Sequence, residues 1–200
     1  MHKNIVLCGV GGQGTVLASK LIASAAMEKG LSVMSAETIG MAQRGGSVFS
    51  HLRVGGNPRS PMIEKGTADL ILGFEPGEAV RMLPYLKPEG QMIVSKKAVM
   101  PVTATLSESG YSGEQMIAYL EQHCDHLMVI DSEAACRELG SEKVLNVLLL
   151  GAASLSGALG LTEEELRRAI ELRVKPQFHE LNFAALAYAR EHKTKEGENK

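Results

Sequence analysis

Cysteine is scarce: Cys8, Cys124 and Cys136 are three in 200 residues, an odd number, and no pair has CxxC spacing. A disulfide framework is not expected from this set, and the chain alone cannot supply the four thiolates of an iron–sulfur cluster. No metal site is expected either. The six histidines, at 2, 51, 123, 126, 179 and 192, are scattered, and His123, Cys124 and His126 lack a matching distant pair. An excess of one charge is also missing. With 21 basic and 23 acidic residues the net charge is −2, which gives no global field to hold a polyanion, so nucleic acid is not an expected partner.

Long apolar runs are nearly absent. The start, MHKNIVLCGVGG, meets glycines too soon to read as a secretory signal, and a cytoplasmic location is expected. One uncharged window of 18 residues, Val144 to Leu161, reaches the lower limit for a membrane span. Asn146, Ser154, Ser156, Gly151, Gly157 and Gly160 dilute it, so a buried core helix and no membrane association are expected. The histidines and methionines read as ordinary core and surface residues.

What is present is an alternation. The composition, 44% hydrophobic and 22% charged, is globular, and strand-length apolar runs alternate with helical spacing. Strands are predicted at Asn4–Cys8, Leu31–Glu37, Gly46–Val54, Ala68–Phe74, Gln91–Ser95 and Leu127–Asp131. The first helix is predicted at Thr15–Lys29, with Leu17, Leu21, Ala25 and their neighbours at helical spacing. Others follow after Pro76 and over Ser112–His123 and Ser132–Leu139. The run Gly46–Val54 is the least apolar and predicts a strand with an exposed face. Residues 96–112 show no period and read as loop. From Ser141 only helices follow: the buried one, then Thr162–Arg173, opened by a Thr162/Glu165 capping box, then about Gln177–Glu191. The pattern specifies an α/β fold: a three-layer α/β/α, Rossmann-like, mostly parallel sheet with a helical C-terminal third packed on it. Residues 1–192 are expected to form a single domain and 193–200 a disordered tail.

The sharpest local feature is GVGGQG at residues 9–14, between the first strand and the first helix. Gly9, Gly11 and Gly14 fit GxGxxG, and Gly12 adds a further position without a Cβ. Such a loop admits close approach of a ligand, and the unpaired N–H groups of Gly11, Gly12, Gln13, Gly14 and Thr15 suit a phosphate. Glu37 lies 23 residues beyond Gly14, where a dinucleotide fold holds a ribose, so a stand-alone NAD(P) dehydrogenase is one reading. A second run, Glu37 to Gly55, places Arg44 beside Gly45, Gly46 and Ser47. From Glu37 to Lys65 the local charge is +2, an anion-attracting patch in an otherwise negative chain. A non-catalytic nucleotide-binding module is a third reading. No catalytic residue is evident. GxSxG is absent, and Ser50 and His51, adjacent on a strand, point to opposite faces.

GVGGQG, followed by AETIGMAQRGGSVFSHLRVG and ADLILGFEPGEAVRMLPYLKPEG, resembles the gamma-type subunits of the 2-oxoacid:ferredoxin oxidoreductases, and QRGGSVFSH points to their indolepyruvate branch. The likeness is specific over residues 4–100 and looser near Pro176, Asn182 and Phe183. It implies a subunit of an enzyme that converts a 2-oxoacid, indolepyruvate or another arylpyruvate, and coenzyme A to acyl-CoA. Thiamine diphosphate and the iron–sulfur clusters that feed ferredoxin would then reside on a partner alpha subunit, with none on this chain. The resemblance assigns this chain contact with coenzyme A through Gly12, Gln13, Gly14 and Thr15 and through Arg44, Gly45, Gly46 and Ser47, and no activity by itself. On that basis Arg44→Ala is expected to weaken coenzyme A affinity in the assembled complex by about tenfold, the loss of one charge-assisted bond. Unchanged affinity by calorimetry would remove Arg44 from the site.

Overall fold

Along β1 (Lys3–Val10) every residue after Lys3 is buried, as expected of a strand covered on both faces. Ile5 and Leu7 face one hydrophobic layer and Val6 and Cys8 the other. In the computed structural model, which describes residues 1–37, 45–99 and 111–197, β1 lies inside a six-stranded sheet. The other strands are β2 (Val33–Glu37), β3 (Ser47–Val54), β4 (Ala68–Gly73), β5 (Leu86–Ser95) and β6 (Leu127–Ile130), in the order β2-β3-β1-β4-β5-β6. β1, β4, β5 and β6 are mutually parallel, whereas β3 runs antiparallel to both β1 and β2.

Helix α1 (Thr15–Glu28) buries Ala18, Leu21, Ile22 and Ala25, a stripe at helical spacing, against one face of the sheet. The same face carries α4 (Ser132–Glu138), α5 (Leu145–Leu155), α6 (Glu163–Arg173) and α7 (His179–Gly197). The other face carries α2 (Pro76–Met82) and α3 (Gly113–His123), through Ala79, Met82, Leu120 and Cys124. The architecture is therefore the predicted three layers, with the C-terminal helices stacked over α1.

Several expectations are refined. The apolar window beginning at Val144 is buried as far as Ala153, and its helix stops at the exposed Leu155, before Gly157 turns at φ 75°. No helix among the described residues is long and apolar enough to cross a membrane. β5 starts at Leu86, so the predicted turn at Pro88 and Gly90 is an irregular stretch of strand, where pairing with β4 shifts register. The predicted exposed face of β3 is not found: Ser50 and His51 are each 1% exposed. The reason is local. The chain after β3 returns over it, with Ile63 donating its backbone N–H to His51 Nδ1 at 2.9 Å and Tyr85 packing edge-on to the imidazole. Ser50 pairs with Leu7 and His51 with Val6, on opposite faces as expected. Of the predicted loop at 96–112, residues 100–110 lie outside the described residues.

Two of the contacts that hold the C-terminal helices are specific to their sequence. In the capping box at α6, Thr162 Oγ1 accepts from Glu165 N at 3.2 Å and Glu165 Oε2 accepts from Thr162 N at 2.8 Å. Glu165 also meets Lys29 Nζ at 2.9 Å, tying α6 to the end of α1. Between α5 and α7 the backbones touch, and a Cβ on Gly151 would stand 2.1 Å from the Leu186 carbonyl oxygen. Gly151→Ala must therefore push the two helices apart and is expected to cost about 2–3 kcal/mol, read as a lower urea midpoint. An unchanged midpoint would deny the contact.

Candidate functional site

The carboxyl ends of β1 and β4 are adjacent and parallel, but the helices that follow them leave to opposite faces, α1 to one and α2 to the other. A crevice opens where such connections diverge. The first glycine loop lies there. A Cβ on Gly9 would come within 2.7 Å of both Gln13 Oε1 and Phe74 Cβ, and Gly12 and Gly14 take φ of 104° and 85°, so the loop's path needs glycine. Gln13 closes it as a staple. Its Oε1 accepts from Val10 N at 2.7 Å, and its Nε2 donates to Phe74 O at 2.9 Å, joining the β1–α1 loop to the β4–α2 turn.

The second glycine loop abuts the first. Gly11 N donates to Gly46 O at 2.8 Å, and Gly45 N to Gly11 O at 3.4 Å, with Gly45 at φ 74°. Arg44, adjacent to Gly45 in sequence, lies outside the described residues. Ser47 begins β3 opposite Val10, but its hydroxyl donates to Glu78 Oε2 at 2.5 Å. Its proton is thus engaged, and Ser47 holds the second loop in place.

Glu37 is brought elsewhere. It ends β2 opposite Ser50, which in turn pairs with Leu7, so β3 separates it from β1. Two inter-strand steps amount to about 10 Å, and Glu37 does not stand beside the glycine loop as a ribose-binding acid does. The physical cause is the inserted antiparallel strand.

At the start of α1 no side chain caps the helix and no acid occupies its first turn. The N–H groups of Thr15, Val16 and Leu17 have no intrahelical acceptor, and the N-cap residue is Gly14, which has no side chain to offer. Thr15 itself is 4% exposed. This end of a 14-residue helix presents bare donors and partial positive charge. Beside it lies a crevice of about 240 Å³ bordered by Gly12, Gln13, Lys97, Cys136 and Leu145. Lys97 pairs with Glu142 at 2.6 Å across it, and burial raises the Cys136 thiol above its ordinary pKa.

Sequence reasoning missed two buried carboxylates. Glu75 and Glu78 are 1% and 2% exposed. Glu75 is the N-cap of α2, with Oε2 accepting from Glu78 N at 2.9 Å. Its Oε1 accepts from the Tyr111 hydroxyl and from Val99 N, and Tyr111 Oη accepts from Gly77 N at 3.2 Å. Glu78 accepts from Ser47 and meets Arg81 Nε at 3.3 Å. The string EPGE carried the signal, a capping acid followed by proline at the first helical position; nothing in the sequence pointed to Tyr111. Burial raises the Glu75 carboxyl, against the opposing pull of hydrogen bonds from Tyr111, Glu78 N and Val99 N. Burial first, then the bond to Glu75, also raises the Tyr111 hydroxyl. Burial raises the Cys8 thiol, with smaller contributions from Glu78 and Glu75.

Three comparisons bear on this site. Residues 4–192 match the family model for pyruvate ferredoxin/flavodoxin oxidoreductase. The chain is 35% identical over 184 residues to indolepyruvate oxidoreductase subunit IorB of Thermococcus kodakarensis, covering 91% of each chain. Its fold is similar to the gamma subunit of a keto/oxoacid ferredoxin oxidoreductase from Geobacter sulfurreducens, with a TM-score of 0.66, 23% identity and 93% of each chain covered. It is likewise similar to part of the 2-oxoglutarate:ferredoxin oxidoreductase of Magnetococcus marinus, solved with 2-oxoglutarate, coenzyme A and succinyl-CoA bound. There the TM-score is 0.68 and the identity 16%, with 94% of this chain and 30% of that one covered.

A carboxyl whose folded pKa is raised favours folding most when protonated, so Glu75's contribution is fully present below its ordinary 4.5 and lost as pH rises through the folded value. Glu75→Gln is expected to flatten that loss, read from urea midpoints between about pH 4 and 7. Identical pH slopes in variant and parent would show that Glu75 does not titrate there.

Proposed function

The chain belongs to the pyruvate ferredoxin/flavodoxin oxidoreductase family, as a subunit of a 2-oxoacid:ferredoxin oxidoreductase, and within that enzyme we propose that it seats the phosphates of coenzyme A and completes an active site shared with a partner chain. The observation that carries this reading is the meeting of two glycine loops at the uncapped start of α1. Backbone N–H groups at Gly12, Gly14 and Thr15 supply fixed donors that need no reorganisation to receive an anion. Arg44, from the second loop, adds a guanidinium. Gly45 and Gly46 keep side-chain bulk away from the approaching ligand. Gln13 and Ser47 act indirectly, the first holding the loop to Phe74 and the second holding its neighbour to Glu78.

Its relatives named for indolepyruvate favour an aromatic 2-oxoacid as substrate. The reaction is oxidative decarboxylation, in which the 2-oxoacid and coenzyme A give acyl-CoA and carbon dioxide while two electrons leave to ferredoxin. Thiamine diphosphate and iron–sulfur clusters on the partner alpha subunit supply the decarboxylation and the electron exit. This chain binds, orients and excludes water, and its three cysteines are free and buried, in β1, just after α3 and in α4. A cytoplasmic complex follows from that chemistry. The displacement of Glu37 by β3 speaks against an NAD(P) dehydrogenase.

Equilibrium dialysis of the complex purified through this chain is expected to show saturable binding of coenzyme A and none of NADH. The chain purified alone is expected to be colourless and without arylpyruvate-dependent reduction of viologen. Binding of NADH in preference to coenzyme A, or turnover by the lone chain, would overturn the proposal.

A further inference from the structure

Helix α5 is apolar almost throughout, and Leu145, Val147, Leu148, Leu149 and Leu150 are all buried. Asn146 is the exception. It is 2% exposed, yet Oδ1 is buried without a hydrogen-bond partner, and no acceptor meets Nδ2 among the described residues. The amide is not lost in the core. It lies against Gly14, the N-cap of α1: a Cβ built there would stand 3.0 Å from Nδ2 and 3.1 Å from Cγ. Leu145, the residue before it, borders the crevice that Gly12 and Gln13 also line.

We propose that Asn146 is an unassigned ligand-binding residue of the anion seat, donating its side-chain N–H to a phosphate oxygen held at the start of α1. The proposal rests on the seat described above and adds to it a donor from a different element, more than 130 residues away in sequence. Three facts converge on it. The α1 terminus presents N–H groups with no capping side chain and no first-turn acid. The one polar side chain buried in the apolar run of α5 is directed at that terminus. An amide buried without partners weakens the fold that carries it, whereas leucine at the same place would not, so the fold gains nothing from asparagine there. A bound anion would accept from Nδ2 and from the helix end together. The absence of a Cβ at Gly14 is what lets the amide reach the terminus, since any side chain there would collide with it.

The test uses the full chain, with inorganic pyrophosphate and coenzyme A as separate probes in titration calorimetry, and thermal unfolding alongside. Asn146→Leu is expected to unfold at the same or a higher temperature and to bind pyrophosphate about tenfold more weakly. Asn146→Asp, nearly isosteric and therefore a safeguard should the leucine variant misfold, is expected to lose more affinity, because a carboxylate would then face the phosphate. Opposite signs for stability and binding are the signature of a ligand-binding role; a structural asparagine would lose both or neither. Pyrophosphate binding by Asn146→Leu and Asn146→Asp within twofold of the parent, or no binding by the parent, would overturn the assignment. If pyrophosphate binding depends on Asn146 while the assembled complex binds no coenzyme A, Asn146 stands and the coenzyme A reading falls.

Discussion

The insertion of β3 between β1 and β2, antiparallel to both, is the constraint from which the rest of this molecule follows. An antiparallel strand beside β1 must start where β1 ends, so Ser47 stands opposite Val10 and the turn before it falls on the first glycine loop. Two backbone hydrogen bonds between Gly11 and the Gly45–Gly46 turn then make one surface of two loops. The same insertion moves Glu37 outward by a strand. A sheet that otherwise suits a dinucleotide loses its ribose acid and gains a second strip of bare backbone in exchange.

The electrostatics of the site divide cleanly between layers. Toward the open side stand backbone N–H groups and the positive end of α1. Toward the core stand two buried carboxylates whose oxygens are taken up by neighbours: Glu78 accepts from Ser47 and pairs with Arg81, and Glu75 accepts from Glu78 N, Val99 N and Tyr111. Negative charge so close to the proposed anion seat would be costly if it faced a ligand. Here it is spent on holding the β4–α2 turn, the second glycine loop and Tyr111 in register. Gln13 does the corresponding task with a neutral amide, bridging two loops without adding charge.

How much of this was legible in the sequence depended on the range of the interaction. The loop at Gly9–Gly14 and the Thr162–Glu165 cap are local, and each announces itself by residue types at fixed spacing. The alternation of strands and helices gave the layers and the mostly parallel sheet, because burial on both faces leaves continuous apolar runs such as β1 and β4. Pairing was harder. Nothing in the composition of Ser47–Val54 says that it runs antiparallel beside β1, and its polar residues suggested an open face that the return of Ile63 and Tyr85 instead covers. Tyr111 meets Glu75 from 36 positions away, out of a stretch with no period. Asn146 was visible as a polar interruption of an apolar run, but a run alone cannot say what the interruption faces.

Val99 and Tyr111 both reach the same oxygen of Glu75. Val99 lies four residues beyond the end of β5 and Tyr111 two residues before the start of α3. One carboxylate therefore ties the turn after β4 to the exit of one strand and the entry of a helix, and a single substitution at Glu75 would release all three at once.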